Sequence, residues 1–360
     1  MQKESRIETV LILQGGGSLG AYECGVFKTL ANNGIRFDVV AGTSIGAVNA
    51  AIITCTKNDD PVNDLENFWL TLAERVTPSF LSDNVRAVWA SAYSAIWGNP
   101  NAFVPRWMMP GPDYFLPQTW QYLYDITLLK KSLSEYVDFT KLRDSNRPRL
   151  IVTSTDIQKG EHVTFDSKHV KIDADHVLAS AGYPFYGISW TQLDGRYLWD
   201  GSLLSNTPLR EVIDASPACD KKVYIVSLFP RVHEKLPENM SEVWHRARDI
   251  MYTDKTEHNV RMSKAFSRYL ELLKEMHDII MHFNDTGKID ESMKKRIKKL
   301  EPEYHKLAMQ RGAIIKEIIR IERKEEKHFL FEDADFSLAT IKQLIKRGEE
   351  DAENVLQKKR

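Results

Sequence analysis

The chain is poor in cysteine: Cys24, Cys55 and Cys219 are all it has in 360 residues. Their odd number and wide spacing exclude a disulfide framework and a cysteine-based zinc site. They read as small core residues in a reducing compartment. A surplus of positive charge is also missing, with 49 Lys+Arg against 50 Asp+Glu and a net charge of −1. Nucleic acid is therefore not an expected partner, since bulk binding to it relies on a basic excess. No apolar run approaches the roughly 20 residues that span a bilayer. Residues Met1 to Glu8 show no secretory pattern. The expectation is a cytoplasmic protein, with association to a membrane surface left open.

What remains is a composition suited to a packed core. Apolar residues make up 42% and charged residues 28%, which is ordinary for a globular protein. The length suits one large α/β domain with an appendage. Charge density changes near residue 230: residues 1–230 hold 46 charged side chains and residues 231–360 hold 53. We expect a first domain over 1–230 and a helical C-terminal extension over 231–360. In the first part, short β-branched runs at 9–13, 39–41, 150–154, 162–165, 196–199 and 223–229 alternate with helical patterns. That alternation predicts an α/β fold with a largely parallel sheet. In the second part, long charged helices are expected over 240–284, 289–325 and 337–357. The middle one carries an apolar stripe that packs on the first domain or on a second subunit, which leaves a homo-oligomer open.

Chemistry concentrates at two turns. Val39-Val-Ala41 runs into Gly42-Thr-Ser44-Ile-Gly46 and then an alanine-rich helix. Strand, sharp turn and helix with serine at the apex is the nucleophile-elbow arrangement, and any side chain at Gly42 or Gly46 would strike the facing strand or helix. Read alone, Ser44 is equally a helix N-cap. The segment upstream decides between them. Strand 9–14 meets Gly15-Gly16-Gly17-Ser-Leu-Gly20 before a helix. Gly15, Gly17 and Gly20 match the dinucleotide fingerprint, but the acid that should hold a ribose at the end of the second strand is absent. A P-loop fails too, for want of Gly-Lys-Ser/Thr. The other reading is an oxyanion hole made by the N–H groups of Gly15, Gly16 and Gly17. Further on, Asp200-Gly201-Ser202 ends a strand pattern; it is a candidate general base or an ordinary Asp-Gly turn. His162, His169 and His176 stand in no motif that marks them as the base for Ser44.

Three ordered motifs carry a family resemblance: G-G-G-S-L-G at 15–20, G-T-S-I-G at 42–46 and D-G-S at 200–202. Together they resemble the patatin-like phospholipases over roughly residues 8–230. The resemblance implies a three-layer α/β/α fold and a Ser–Asp dyad with no histidine, metal or other cofactor. Ser44 would be the nucleophile, Asp200 the base and Gly15–Gly17 the oxyanion hole, with Gly42, Gly46 and Gly201 supporting the motifs. The implied substrate is a lipid acyl ester, cleaved as by a phospholipase A or lysophospholipase. A general carboxylesterase for short acyl or hydroxyacyl esters stands beside it. A dinucleotide binder and a non-catalytic lipid-binding protein stand further off. Family members often carry Arg or Lys where this chain has Leu19, and glycine where it has Ser202. The tail, with Arg248-Asp-Ile-Met-Tyr252 and Ala334-Asp-Phe-Ser-Leu-Ala339, resembles a C-terminal extension found in some bacterial members. Between 85 and 125, four of the eight tryptophans (Trp89, Trp97, Trp107, Trp120) mingle with prolines. This stretch reads as an irregular excursion, an acyl-pocket wall or an interfacial anchor.

Overall fold

The computed structural model describes residues 7–217, 219–233, 236–286, 289–311, 313–324 and 332–358. Strand β1 (Glu8–Leu13) leads into helix α1 (Gly20–Asn32), and β2 (Val39–Thr43) into α2 (Ile45–Cys55). Helices α3 (Pro61–Leu72) and α4 (Asp83–Trp97) follow, then a small ladder of β3 (Val104–Pro105) with β4 (Tyr124–Asp125), then α5 (Thr127–Tyr136). The main sheet resumes with β5 (Arg149–Asp156) and β6 (Glu161–Asp166). After α6 (Ala174–Ala179) come the hairpin β7 (Thr191–Leu193) and β8 (Arg196–Asp200), α7 (Leu209–Ala215) and β9 (Lys221–Ser227). The rest of the chain supplies α8 (Met240–Asp285), α9 (Glu291–Arg311), β10 (Ile315–Glu322) and α10 (Leu338–Gln357).

The sheet runs β10-β9-β1-β2-β5-β8-β7, with β6 on the other edge of β5. Its first five strands are parallel. Val10, Leu11, Ile12 and Leu13 are all buried because the sheet is covered on both faces. Leu11, Leu13, Val40, Val152 and Val226 face a core shared with α1, α2, α3 and α10. Val10, Ile12, Ala41, Ile151 and Ile225 face Leu209 and Val212 of α7 and Val260 of α8. The result is the expected three-layer α/β/α fold. Among the described residues, no helix is long and apolar enough to cross a membrane.

One junction places the site. Strand β2 pairs along β5 only as far as Thr43↔Thr153. Beyond it the same edge of β5 is taken by antiparallel β8, whose last residue sets the pair Ser154↔Asp200. Two strands running in opposite directions thus end on consecutive residues of a third.

The C-terminal region differs from the sequence expectation in one element. The helix expected to reach residue 325 stops at Arg311, and Ile315–Glu322 pairs in parallel with β9 as the outermost strand. Four isoleucines in eight residues favour a strand, and over so short a run the two periodicities are hard to separate. The sheet therefore continues past the composition change at 230. Helix α10 lies against α1 at a crossing only glycine permits: a Cβ on Gly25 would sit 1.8 Å from the Ile345 carbonyl oxygen. Tyr22 closes that contact, its hydroxyl donating to Asp351 Oδ2 at 2.9 Å.

Candidate active site

Ser44 sits between β2 and α2 with φ 55° and ψ −127°. A positive φ on a non-glycine residue is strained, and its surroundings must hold it there. They do so through backbone contact. A Cβ on Gly42 would lie 2.1 Å from the Gly46 carbonyl oxygen, and one on Gly46 would lie 2.5 Å from that of Leu13. The Ser44 N–H donates to Ser180 Oγ at 2.8 Å, and Ser180 Oγ donates to the Thr153 carbonyl at 2.6 Å. Ser180 carried no signal in the sequence beyond closing a short helix.

Asp200, at the end of β8, is 1% exposed. Its Oδ1 accepts the Ser202 N–H at 2.8 Å. Oδ2 is buried without a hydrogen-bond partner among the described residues. Burial pushes the carboxyl pKa up to about 6, while the Ser44 hydroxyl and Ser202 draw it partly back down. Gly201 is pressed against β5, where a Cβ would meet the Thr153 carbonyl at 2.5 Å. The chain thus brings the Ser44 hydroxyl and the Asp200 carboxyl together at the strand junction.

The glycine loop passes directly over Ser44: a Cβ on Gly15 would fall 2.7 Å from the Ser44 Cβ. The three loop N–H groups are not equivalent. That of Gly15 donates to Asn206 Oδ1 at 2.9 Å, so it is not free to hold an oxyanion. This corrects the three-donor expectation and leaves Gly16 and Gly17. Gly17 adopts φ +56°, the left-handed conformation that glycine takes without strain. The loop's base is tied down by Gln14, which donates to Thr207 Oγ1 at 2.6 Å and accepts the Leu228 N–H at 2.9 Å.

The loop, Ser44 and Asp200 open onto one cavity of about 520 Å³. No histidine lines it among the described residues. His162 lies against Glu211, with burial pushing its pKa down to about 4; His176 caps α6 beside Asp173; His169 is exposed. Most of the wall is apolar. Ser91, Ser94 and Ala95 of α4, with Phe103, Leu123 and Tyr124, come from the stretch read as an irregular excursion or acyl wall. Its tryptophans are not in the wall; Trp89 and Trp97 point outward, 62% and 58% exposed. The C-terminal region also contributes, through Arg248, Tyr252 and Asp333, a role for the tail that spacing did not reveal.

A family model for the patatin-like phospholipases matches residues 11–213, more than half of the chain. The chain belongs to the patatin-like phospholipase family. Patatin-like protein 4 of Arabidopsis thaliana is 25% identical over 203 residues, covering 51% of this chain and 44% of that one. Lysophospholipase nte1 of Aspergillus terreus is 50% identical over 42 residues, which is 12% of this chain and 3% of that protein. The chain thus spans less than half the length of these curated relatives. Among solved structures, VipD from Legionella pneumophila aligns at a TM-score of 0.42 and 13% identity, covering 98% of this chain and 67% of that one. A dinucleotide site would need an acid at the end of the second strand, where β2 instead ends in Thr43 followed by Ser44.

Proposed function

We propose that this patatin-like chain is a serine hydrolase of lipid acyl esters, of the phospholipase A or lysophospholipase type, working through a Ser44–Asp200 dyad. The observation that carries the reading is the strand junction: β2 and β8 end on neighbouring residues of β5, with Ser44 and Asp200 at the apolar cavity. A carboxyl held near 6 is ionised at neutral pH yet more basic than an ordinary carboxylate.

In the first half-reaction Asp200 takes the Ser44 proton as Oγ attacks the ester carbonyl carbon. The tetrahedral oxygen is held by the Gly16 and Gly17 N–H groups. Each such donor is worth about 3 kcal/mol where it has been removed from a serine hydrolase. Collapse expels the alcohol, which leaves with the proton from Asp200. Water then gives its proton to the same carboxylate, attacks the acyl-serine and frees the acid. The acyl chain would lie along the wall formed by α4, Phe103 and Leu123. Action at a membrane surface fits the outer face of α4, where Val85, Val88, Trp89, Ile96 and Trp97 are exposed, because tryptophan favours the bilayer boundary.

The test is product identification by mass spectrometry from a total lipid extract, alongside a chain-length series of p-nitrophenyl esters. Wild type should release fatty acid, and Ser44→Ala and Asp200→Asn should each lower turnover by about 10⁴-fold or more while staying folded. Full activity in either folded variant sinks the dyad.

A further inference from the structure

The short turn at Glu332–Ala334, between β10 and α10, packs onto the glycine loop. A Cβ on Gly17 would fall 2.2 Å from the Asp333 carbonyl oxygen. Ser18 Oγ donates to the Glu332 carbonyl at 3.0 Å. Gly17, in its left-handed conformation, is therefore covered directly by a piece of the C-terminal region.

Buried charge holds that turn. Arg248, on the first part of α8, donates through Nη2 to Glu332 Oε1 at 2.7 Å and through Nη1 to Asp333 Oδ2 at 3.1 Å. The Tyr186 hydroxyl donates to the same Asp333 oxygen at 2.6 Å. Arg323, just past β10, reaches Glu332 at 3.4 Å and donates to the Leu228 carbonyl at 2.8 Å. Arg248, Glu332 and Asp333 are 7%, 5% and 7% exposed. Taking such groups out of water is costly, and a buried ion pair is weak grounds for expecting extra stability. Its stronger consequence is geometric. A planar guanidinium satisfies two neighbouring carboxylates in one arrangement only, so it fixes where their backbone lies. Among the described residues, Arg248 is the one basic side chain lining the cavity, in a chain that has Leu19 where the family often has a basic residue. Asp249, Glu332 and Asp333 surround and offset its charge, so its contribution is placement rather than field.

We propose that Arg248 is a positioning residue: through Glu332 and Asp333 it sets the glycine loop so that the Gly16 and Gly17 N–H groups meet the reacting oxygen. The inference rests on the hydrolase reading above and assigns the C-terminal region a part in that site.

The experiment uses the full chain with p-nitrophenyl butyrate as substrate. A trifluoromethyl ketone, whose hemiketal oxygen is anionic, reports on the oxyanion site, and butyrate reports on the acid site of the product. For Arg248→Met, kcat should fall about 100-fold, the size of effect that a misplaced catalytic geometry produces. KM should stay within about threefold, as expected when only a transition-state interaction is lost. Ketone affinity should fall with kcat, and butyrate affinity should not. Arg248→Lys should recover part of the loss. Tyr186→Phe removes one hydrogen bond to Asp333 without stranding a charge; it should show the same split at about tenfold, and it carries the test if Arg248→Met does not fold. Unchanged kcat and ketone affinity in these variants overturn the proposal. So does an equal loss of ketone and butyrate binding, which marks a collapsed pocket. A wild type that neither cleaves the ester nor binds the ketone defeats the hydrolase reading itself, a different result from an active wild type indifferent to Arg248.

Discussion

Helices α2 and α8 both line the cavity and are held there in different ways. All 11 residues of α2 are buried, from Ile45 to Cys55, and the helix is wedged between strands and neighbouring helices. Helix α8 has 46 residues. Near its start it buries polar and charged groups, His245, Arg248 and Asp249; farther along it exposes Phe266, Tyr269, Leu273, Met276, Ile280 and Phe283. Apolar contact locates α2 along its whole length, whereas at the cavity α8 relies on the directed bonds of Arg248, with Tyr252 and Val260 packing behind them. The first suits a serine whose backbone is strained, since the strain persists only where the surroundings leave it no alternative. The second suits a support that reaches the site from a distant part of the chain.

The harshest way to break the comparison is to disturb the wedge around α2. In Gly42→Ala the new methyl would lie 2.1 Å from the Gly46 carbonyl oxygen, and neither backbone segment has anywhere to move. Overpacking of this kind costs about 3 kcal/mol or more, roughly 4 °C in melting temperature for a chain of this size. Thermal melts read it directly. A variant that melts with the wild type would mean that the wedge is looser than the contacts imply.

Asp200 lies at the cavity that α2 and α8 both line, with the Ser44 hydroxyl drawing its pKa down from one side and Ser202, which bonds Tyr252 of α8, from the other. Its pKa of about 6 sets two opposite pH dependences. Activity needs the ionised base, so kcat/KM should rise with pH, reach half its plateau near 6 and lose that limb in Asp200→Asn. Stability runs the other way. The folded chain holds this proton more tightly than the unfolded one, whose carboxyl titrates near about 3.9. The favourable contribution is complete below that value and is lost as pH rises through about 6. Glu211, pushed up to about 7 by burial, acts in the same direction. Asp200→Asn should therefore be inactive and, at pH 8, more stable by on the order of 2 kcal/mol. A less stable Asn variant at that pH would mean that the ionised carboxylate is better solvated than its burial indicates.

Much of the α2 side was legible in the sequence, because its signals are local. Strand runs, the spacing of Gly42, Ser44 and Gly46, and the loop at Gly15–Gly17 lie within a few residues of one another, and the resemblance added Asp200. The groups that hold these parts in register were not legible. Asn206 takes the Gly15 N–H from 191 positions away, and no spacing rule points to it. Arg248 and Glu332 look in sequence like any charge on a polar helix or turn, since composition does not distinguish a buried guanidinium from a solvated one. The strand at Ile315–Glu322 was hidden because isoleucines at short spacing fit either period. The cavity wall misled in the other direction. Large aromatic residues drew attention, whereas α4 turns Ser91, Ser94 and Ala95 inward and its tryptophans outward.

The gentlest test concerns the far half of α8, where the contrast with α2 is widest. Leu273 and Ile280 are 46% and 40% exposed, although both are residues that usually seek a core. If solvent is their only neighbour on that side, replacing both with glutamine removes little burial. The change in unfolding free energy should then stay within about 0.5 kcal/mol, as for other surface substitutions. The ester rate should not move, because the site depends on the other end of the helix. Melts at two protein concentrations, read with sedimentation velocity, separate the outcomes. A wild-type melting temperature that rises with concentration and falls on substitution would mean that a second copy covers the stripe. The far half of α8 would then be buried in the assembly much as α2 is buried in the chain.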